Sequence, residues 1–235
     1  TLGTVSRNEN GYPIGYFFGY KAIGVFQTQE EIDSYISPAT GKPIQPNAAP
    51  GDTKFEDLNG DGVISDDNED RTMIGKPNPD WMVGLTVAAD WNGFDLSAFF
   101  QGSFGADVFD ALRRYELAAV NYTSDALERW TGPGTSNSMP RIVLGDTPKN
   151  FRPSTLLVHD ASFLRLRNLQ VGYTLPAQLT RKAYIQRLRF YASFDNLLTI
   201  TGYKGMDPEI GSTMGIDKGV YPQARVYTFG LNLTF

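Results

Sequence analysis

Asp57, Asn59 and Asp61 alternate with Leu58 and Gly60 in the stretch Asp57-Leu58-Asn59-Gly60-Asp61-Gly62-Val63-Ile64, the sharpest chemical signal in the chain. Hard cations such as Ca2+ take about six to eight oxygen ligands from a tight loop. The D-x-N-x-D-G spacing offers side-chain oxygens from Asp57, Asn59 and Asp61, a turn-permitting Gly62, and the backbone carbonyl of Val63. The position where an EF-hand carries its bidentate glutamate is Asn68, with Glu69 and Asp70 just after it. The closing ligand therefore lies among Asp70, Glu69 and Asp66. The competing reading is an Asx-rich turn that holds itself together without an ion. In either case the expected role is to order a loop, not to catalyse.

Other groups carry less. His159 is the one histidine, and no partner for a triad or a histidine-based metal site is identifiable. The acids are scattered, and no pair can be argued to flank a scissile bond. The glycines of Thr131-Gly-Pro-Gly-Thr135 do not link a strand to a helix, which argues against a phosphate loop. Arg165, Arg167, Arg187 and Arg189 lie on or beside expected strands, where they could pair with acids near a rim or meet lipid headgroups. Tyr115, Tyr122, Trp130, Tyr203 and Tyr221 fall in long connections, where they could stack on sugars, pack against a partner, or simply pack against their own loops.

The elements that would position these groups are strands. From Asp80 to Phe104 every second residue is apolar: Trp81, Val83, Leu85, Val87, Ala89 and Trp91, then Phe94, Leu96, Ala98, Phe100, Gly102 and Phe104. The alternate sets are mostly small or polar, the mark of strands with one apolar face. Asn92-Gly93 between them suits the two positive φ angles of a type I′ turn. Ten residues separate Trp81 from Trp91, roughly 34 Å of strand. Tilted by about 40°, that spans roughly 26 Å, close to the ~25 Å apolar band of outer-membrane barrels between their aromatic girdles.

Further strands are expected at 14–26, 163–176, 188–200 and 224–235, with short helices at 28–36, capped by Thr28, and around 110–120. In the 163–176 stretch Leu169, Val171, Tyr173 and Leu175 share a phase that Leu164 and Leu166 do not. That slip predicts a bulge near Arg167-Asn168 or a change of environment. In the last strand Tyr227, Phe229, Leu231, Leu233 and the terminal Phe235 share a face. A final aromatic of this kind is the usual form of the assembly signal of outer-membrane barrels. The connections run long (27–79), short (92–93), long (105–160), short (177–187), long (201–223). That sorting fits short periplasmic turns and long extracellular loops.

Bulk properties exclude several classes. The 235 residues carry a net charge of −5 and no cysteine. Binding nucleic acid through a general basic footprint is therefore not expected, nor are thiol chemistry and disulfide staples. No apolar run reaches the ~18 residues of a membrane helix, which leaves barrel strands open. Thr1 opens in what reads as mid-domain with no signal peptide, so the front is expected to have been removed by processing or fragmentation.

The stretches 13–27, 57–64 (DLNGDGVI), 70–81 (DRTMIGKPNPDW), 93–109, 129–141, 162–176, 191–209 and 221–235 together resemble the C-terminal part of the SusC/RagA-like TonB-dependent outer-membrane transporters, in order and over nearly the whole chain. The resemblance implies an all-β fold: an antiparallel transmembrane β-barrel segment, about six C-terminal strands of a 22-stranded barrel, with the plug domain absent. Implied partners are the remaining strands and plug of the same transporter, TonB acting through that missing part, a SusD-like lid lipoprotein, outer-membrane lipid, and an oligosaccharide or oligopeptide cargo. No enzymatic activity is implied. Acids just before R-T-x-I-G close the loop in such proteins, which makes Asp70 the closing choice. The expected site is thus Asp57, Asn59, Asp61, Val63 and Asp70 around a structural Ca2+. The alternative from another class is a soluble secreted β-sandwich that binds carbohydrate and carries a structural calcium.

Overall fold

A computed structural model describes residues 5–66, 69–112, 121–209 and 214–235. The chain forms two compact units. One comprises Thr1–Asn78, Asp107–His159 and Gly211–Gly219; the other comprises Pro79–Ala106, Asp160–Ile210 and Val220–Phe235.

The second unit is a sheet of five strands: β1 (Trp81–Trp91), β2 (Phe94–Phe104), β3 (Phe163–Thr174), β4 (Arg187–Thr201) and β5 (Val226–Thr234). They lie in the order β5-β4-β3-β2-β1, each antiparallel to its neighbour in sequence. β1 and β2 close through Asn92 and Gly93 at φ +47° and +88°, so the predicted two-residue turn is present. In such a meander the links 92–93 and 175–186 fall at one end of the sheet, and 105–162 and 202–225 at the other. Among the described residues β1 and β5 each have a strand on one side only.

The phase slip in β3 is a bulge. Pairing skips Arg167 against both β2 and β4. Before the slip, Leu164 and Leu166 face Gly102 and Phe100; after it, Leu169, Val171 and Tyr173 face Ala98, Leu96 and Phe94. Paired residues point to the same face. One extra residue therefore returns both out-of-phase sets to a single apolar face. On β4, Asn196 takes φ +53° opposite the bulge, which is why it alone interrupts the run from Leu188 to Ile200. On the polar face, Tyr191 lies across Gly230, where an added Cβ would come within 2.5 Å of the ring.

The expected strand 14–26 is not part of this sheet. It divides at Lys21 into Tyr16–Tyr20 and Ala22–Val25, both in the first unit. The reason is burial on both faces: every residue of Tyr16–Tyr20 is buried, and Gly19 approaches the Pro153 carbonyl too closely for a side chain. Tyr16–Tyr20 lies between Ser6–Arg7 and Arg71–Gly75, and Ala22–Val25 pairs with Thr53–Phe55. A third small sheet joins Ile216–Asp217, Asp107–Asp110 and Val158–Asp160. Val5, Phe17, Phe109, Leu157 and Ile216 form a core. The helix Gln29–Ser34 follows Thr28, whose hydroxyl accepts from the Glu31 N–H as predicted. The helix expected around 110–120 falls largely outside the described residues; Asp110 itself ends a strand.

Three arginines alternate with three rings through this unit. Arg7 stacks on Phe18 at 4.4 Å, Arg71 on Phe18 and Tyr20 at 4.6 and 5.9 Å, and Arg152 on Tyr20 and Phe55 at 4.7 and 4.9 Å. Buried Asp52 accepts from Arg141 Nε at 2.6 Å and Nη2 at 3.1 Å, and from Asn150 Nδ2 at 3.0 Å. Asn150 in turn accepts from the Thr53 N–H. What reads in sequence as separate long loops is one packed unit tied across about a hundred residues of chain.

Candidate functional site

Local hydrogen bonding explains how the acidic loop folds. Both oxygens of Asp57 accept backbone N–H groups, from Gly60 at 2.8 Å and Gly62 at 2.9 Å. Asn59 Oδ1 accepts from Asp61 N–H, and Asp61 Oδ1 from Val63 N–H. Gly60 and Gly62 sit at φ +78° and +88°, where a side chain is strained, and a Cβ added at Gly62 would come within 2.7 Å of Ser37. Asn59 Nδ2 reaches Asp61 and Glu69, each at 3.0 Å. Asp70 is fully buried beneath the loop, accepting from Leu58 N–H and Ser65 N–H. The structure thus brings Asp57, Asn59, Asp61 and Glu69 to the exposed end, with Asp70 as an internal staple. Asn68 lies outside the described residues. Among the described residues no three acids or histidines converge as a metal cluster, so backbone and amide oxygens would have to complete any coordination.

The sheet presents a surface of a different kind. Trp81, Leu85, Trp91 and Phe229 are 73%, 55%, 76% and 76% exposed, and Val87, Phe190, Leu198, Ile200 and Leu231 are exposed on the same face. Aromatics mark both ends of the hairpin: Trp81 pairs with Phe104, Trp91 with Phe94, and the Phe94 ring lies 4.5 Å from Tyr173. The opposite face is polar and cross-linked. Arg189 grips Asp95 at 2.9 and 2.5 Å, and Arg167 donates to Gln101 and Asn196. Buried Arg165 reaches Asp207 at 2.5 Å and Glu209 at 3.1 Å, and Arg167 also binds Glu209. Burial raises the Asp207 carboxyl, but the N–H groups of Gln223 and Glu209 and the Arg165 guanidinium outweigh it, holding it below the usual aspartate range. These pairs tie the 202–209 segment to β3.

Sequence reasoning placed these arginines on strands but did not find their acids. Asp95, Asp207 and Glu209 lie about 40 to 95 residues away in the chain and carry no local pattern. The loop aromatics divide. Trp130 packs over Gly51 and donates to Gln27, and Tyr203 is buried, so both hold their own units together. Tyr122 and Tyr221 are exposed; Tyr115 lies outside the described residues. His159 Nε2 stands 3.9 Å from Asp110.

No family model matches the chain. It is 34% identical over 97% of its length to TonB-dependent receptor P3 of Formosa agariphila, and 30% identical over 98% to TonB-dependent receptor SusC of Bacteroides thetaiotaomicron. Among solved structures it is similar to the RagAB peptide transporter, with a TM-score of 0.72 at 28% identity over its full length. The chain spans about a quarter of the length of these relatives, 23%, 21% and 24% respectively. An uncovered apolar face with aromatic ends, a polar opposite face and a sequential antiparallel meander are what a barrel wall in lipid requires. Sequence likeness and wall geometry agree: the chain is a β-barrel segment belonging to the SusC/RagA-like TonB-dependent receptors of the outer membrane.

Proposed function

We propose that the protein containing this chain imports oligosaccharides or oligopeptides across the outer membrane, energised through TonB and covered outside by a SusD-like lipoprotein. β1–β5 supply wall, and the long-loop end of the sheet faces outward from the cell. The observation that carries this reading is the apolar face, which among the described residues no second sheet of its unit covers, as a soluble sandwich would require. The test is growth and labelled-cargo uptake in cells carrying the transporter, with and without TonB. Uptake that survives loss of TonB overturns the reading.

We also propose that Asp57, Asn59, Asp61, the Val63 carbonyl and an acid from Glu69–Asp70 hold a Ca2+ that orders the 27–79 segment. Its support is the D-x-N-x-D-G spacing together with the Asx-turns that fold Asp57, Asn59 and Asp61 into one tight loop. Calorimetric titration of Ca2+ into the chelator-treated transporter should show one site that D61A abolishes. Unchanged heats on titration with Ca2+ would sink the proposal.

A further inference from the structure

A cleft of about 640 Å3 opens in the first unit beside Ile64, lined also by Asn47, Arg141, Thr147, Lys149 and Arg152. Among its described lining residues three are cations and one, Asp52, is an acid already committed to Arg141 and Asn150. In a chain of net charge −5 this is a local excess of positive charge. The volume and the mixture of cation, amide, hydroxyl and aliphatic edges fit a small amphipathic anion.

Two of the cations already surround one carboxylate. Asp66, 70% exposed, receives Lys149 Nζ and stands 4.0 Å from Arg152 Nη1. Both cations are held by the fold. Lys149 lies at φ +60° in a turn whose Asp146 accepts from the N–H groups of Asn150 and Phe151. Arg152 is clamped between Tyr20 and Phe55 and donates from Nε to the Lys149 carbonyl. The acid facing them is, by contrast, a solvent-exposed side chain, and an exposed ion pair of this kind holds little net stability.

We propose that this cleft binds carboxylate-bearing units of an acidic oligosaccharide or acidic peptide, and that Asp66 is an intramolecular placeholder displaced by the ligand's acid. The ligand is cargo only if the transport reading above holds, but binding itself does not depend on it. The test is calorimetry on the full transporter in detergent with trigalacturonate, triglutamate, maltotriose and blocked trialanine. At least one acidic probe should bind, weakening steeply with added salt, and the neutral probes should not. Trigalacturonate alone, triglutamate alone, or both identifies the source of the carboxylate. K149Q, at a half-exposed position, should weaken binding about five- to tenfold, and D66N should strengthen it about two- to fivefold by removing the competitor. A merely structural Asp66 gives the opposite sign. The proposal is overturned if neither acidic probe binds, if neutral probes bind equally, if K149Q leaves affinity unchanged, or if D66N fails to raise it. TonB-dependent uptake that persists while both acidic probes are ignored refutes the cleft alone and leaves the transport reading standing.

Discussion

Asp70 shows how one side chain can be legible by position while its local partners are not. Its spacing behind Asp57, Asn59 and Asp61 invites a ligand's role, yet it is the fully buried acceptor of the Leu58 and Ser65 N–H groups. Asp70→Ala strands two donors beneath the loop, at about 1–3 kcal/mol. Proteolytic cleavage within 57–66 should therefore become faster, with or without added Ca2+. Glu69, one residue earlier, is the acid brought to Asn59. A one-residue difference in an irregular turn decides inside from outside, and only coordinates resolve it. Arg165 and Asp207 make the same point over a longer distance: a buried charge demands a partner, but sequence does not say which of the 26 acids supplies it.

At the scale of elements, alternation made β1, β2, β4 and β5 readable, because a half-exposed strand writes its geometry into every second residue. Even the β3 bulge was visible as a phase error. Deleting Arg167 removes the extra residue and leaves Leu164, Leu166, Leu169, Val171 and Tyr173 in one unbroken alternation on the apolar face. The full barrel should then still assemble, seen as a retained heat-modifiable band on electrophoresis, while the bonds from Arg167 to Gln101, Asn196 and Glu209 are lost. The stretch 14–26 was misplaced because a strand buried on both faces has no alternation to read, and its partners come from residues 5–7, 53–55 and 71–75. The 202–209 segment carries a pH dependence of known sign. Asp207 titrates below its unfolded value, so its stabilisation is present above the ordinary aspartate pKa of about 3.9 and is lost as pH falls through the lower folded value. Hydrogen exchange at 202–209 should accelerate in that acid window, and D207N should remove the dependence.

For the whole molecule, the wall was legible and the packed loop unit was not. Lipid imposes a one-dimensional rule on sequence, whereas a unit built from Asp52, Arg141 and Asn150 depends on contacts that no periodicity records. The lipid-facing assignment can be measured. Leu85→Arg, midway between the two tryptophans, should cost about 2–4 kcal/mol of folding free energy in vesicles, and Trp81→Arg about 0–1. Similar costs at the two positions would mean that depth in a bilayer does not govern them. The open flanks of the sheet have their own consequence. Among the described residues the outer margins of β1 and β5 carry no further strand. In hydrocarbon each orphaned peptide group would be penalised by several kcal/mol. These five strands therefore cannot enter a bilayer first and find their companions afterwards; insertion and ring closure have to be a single event.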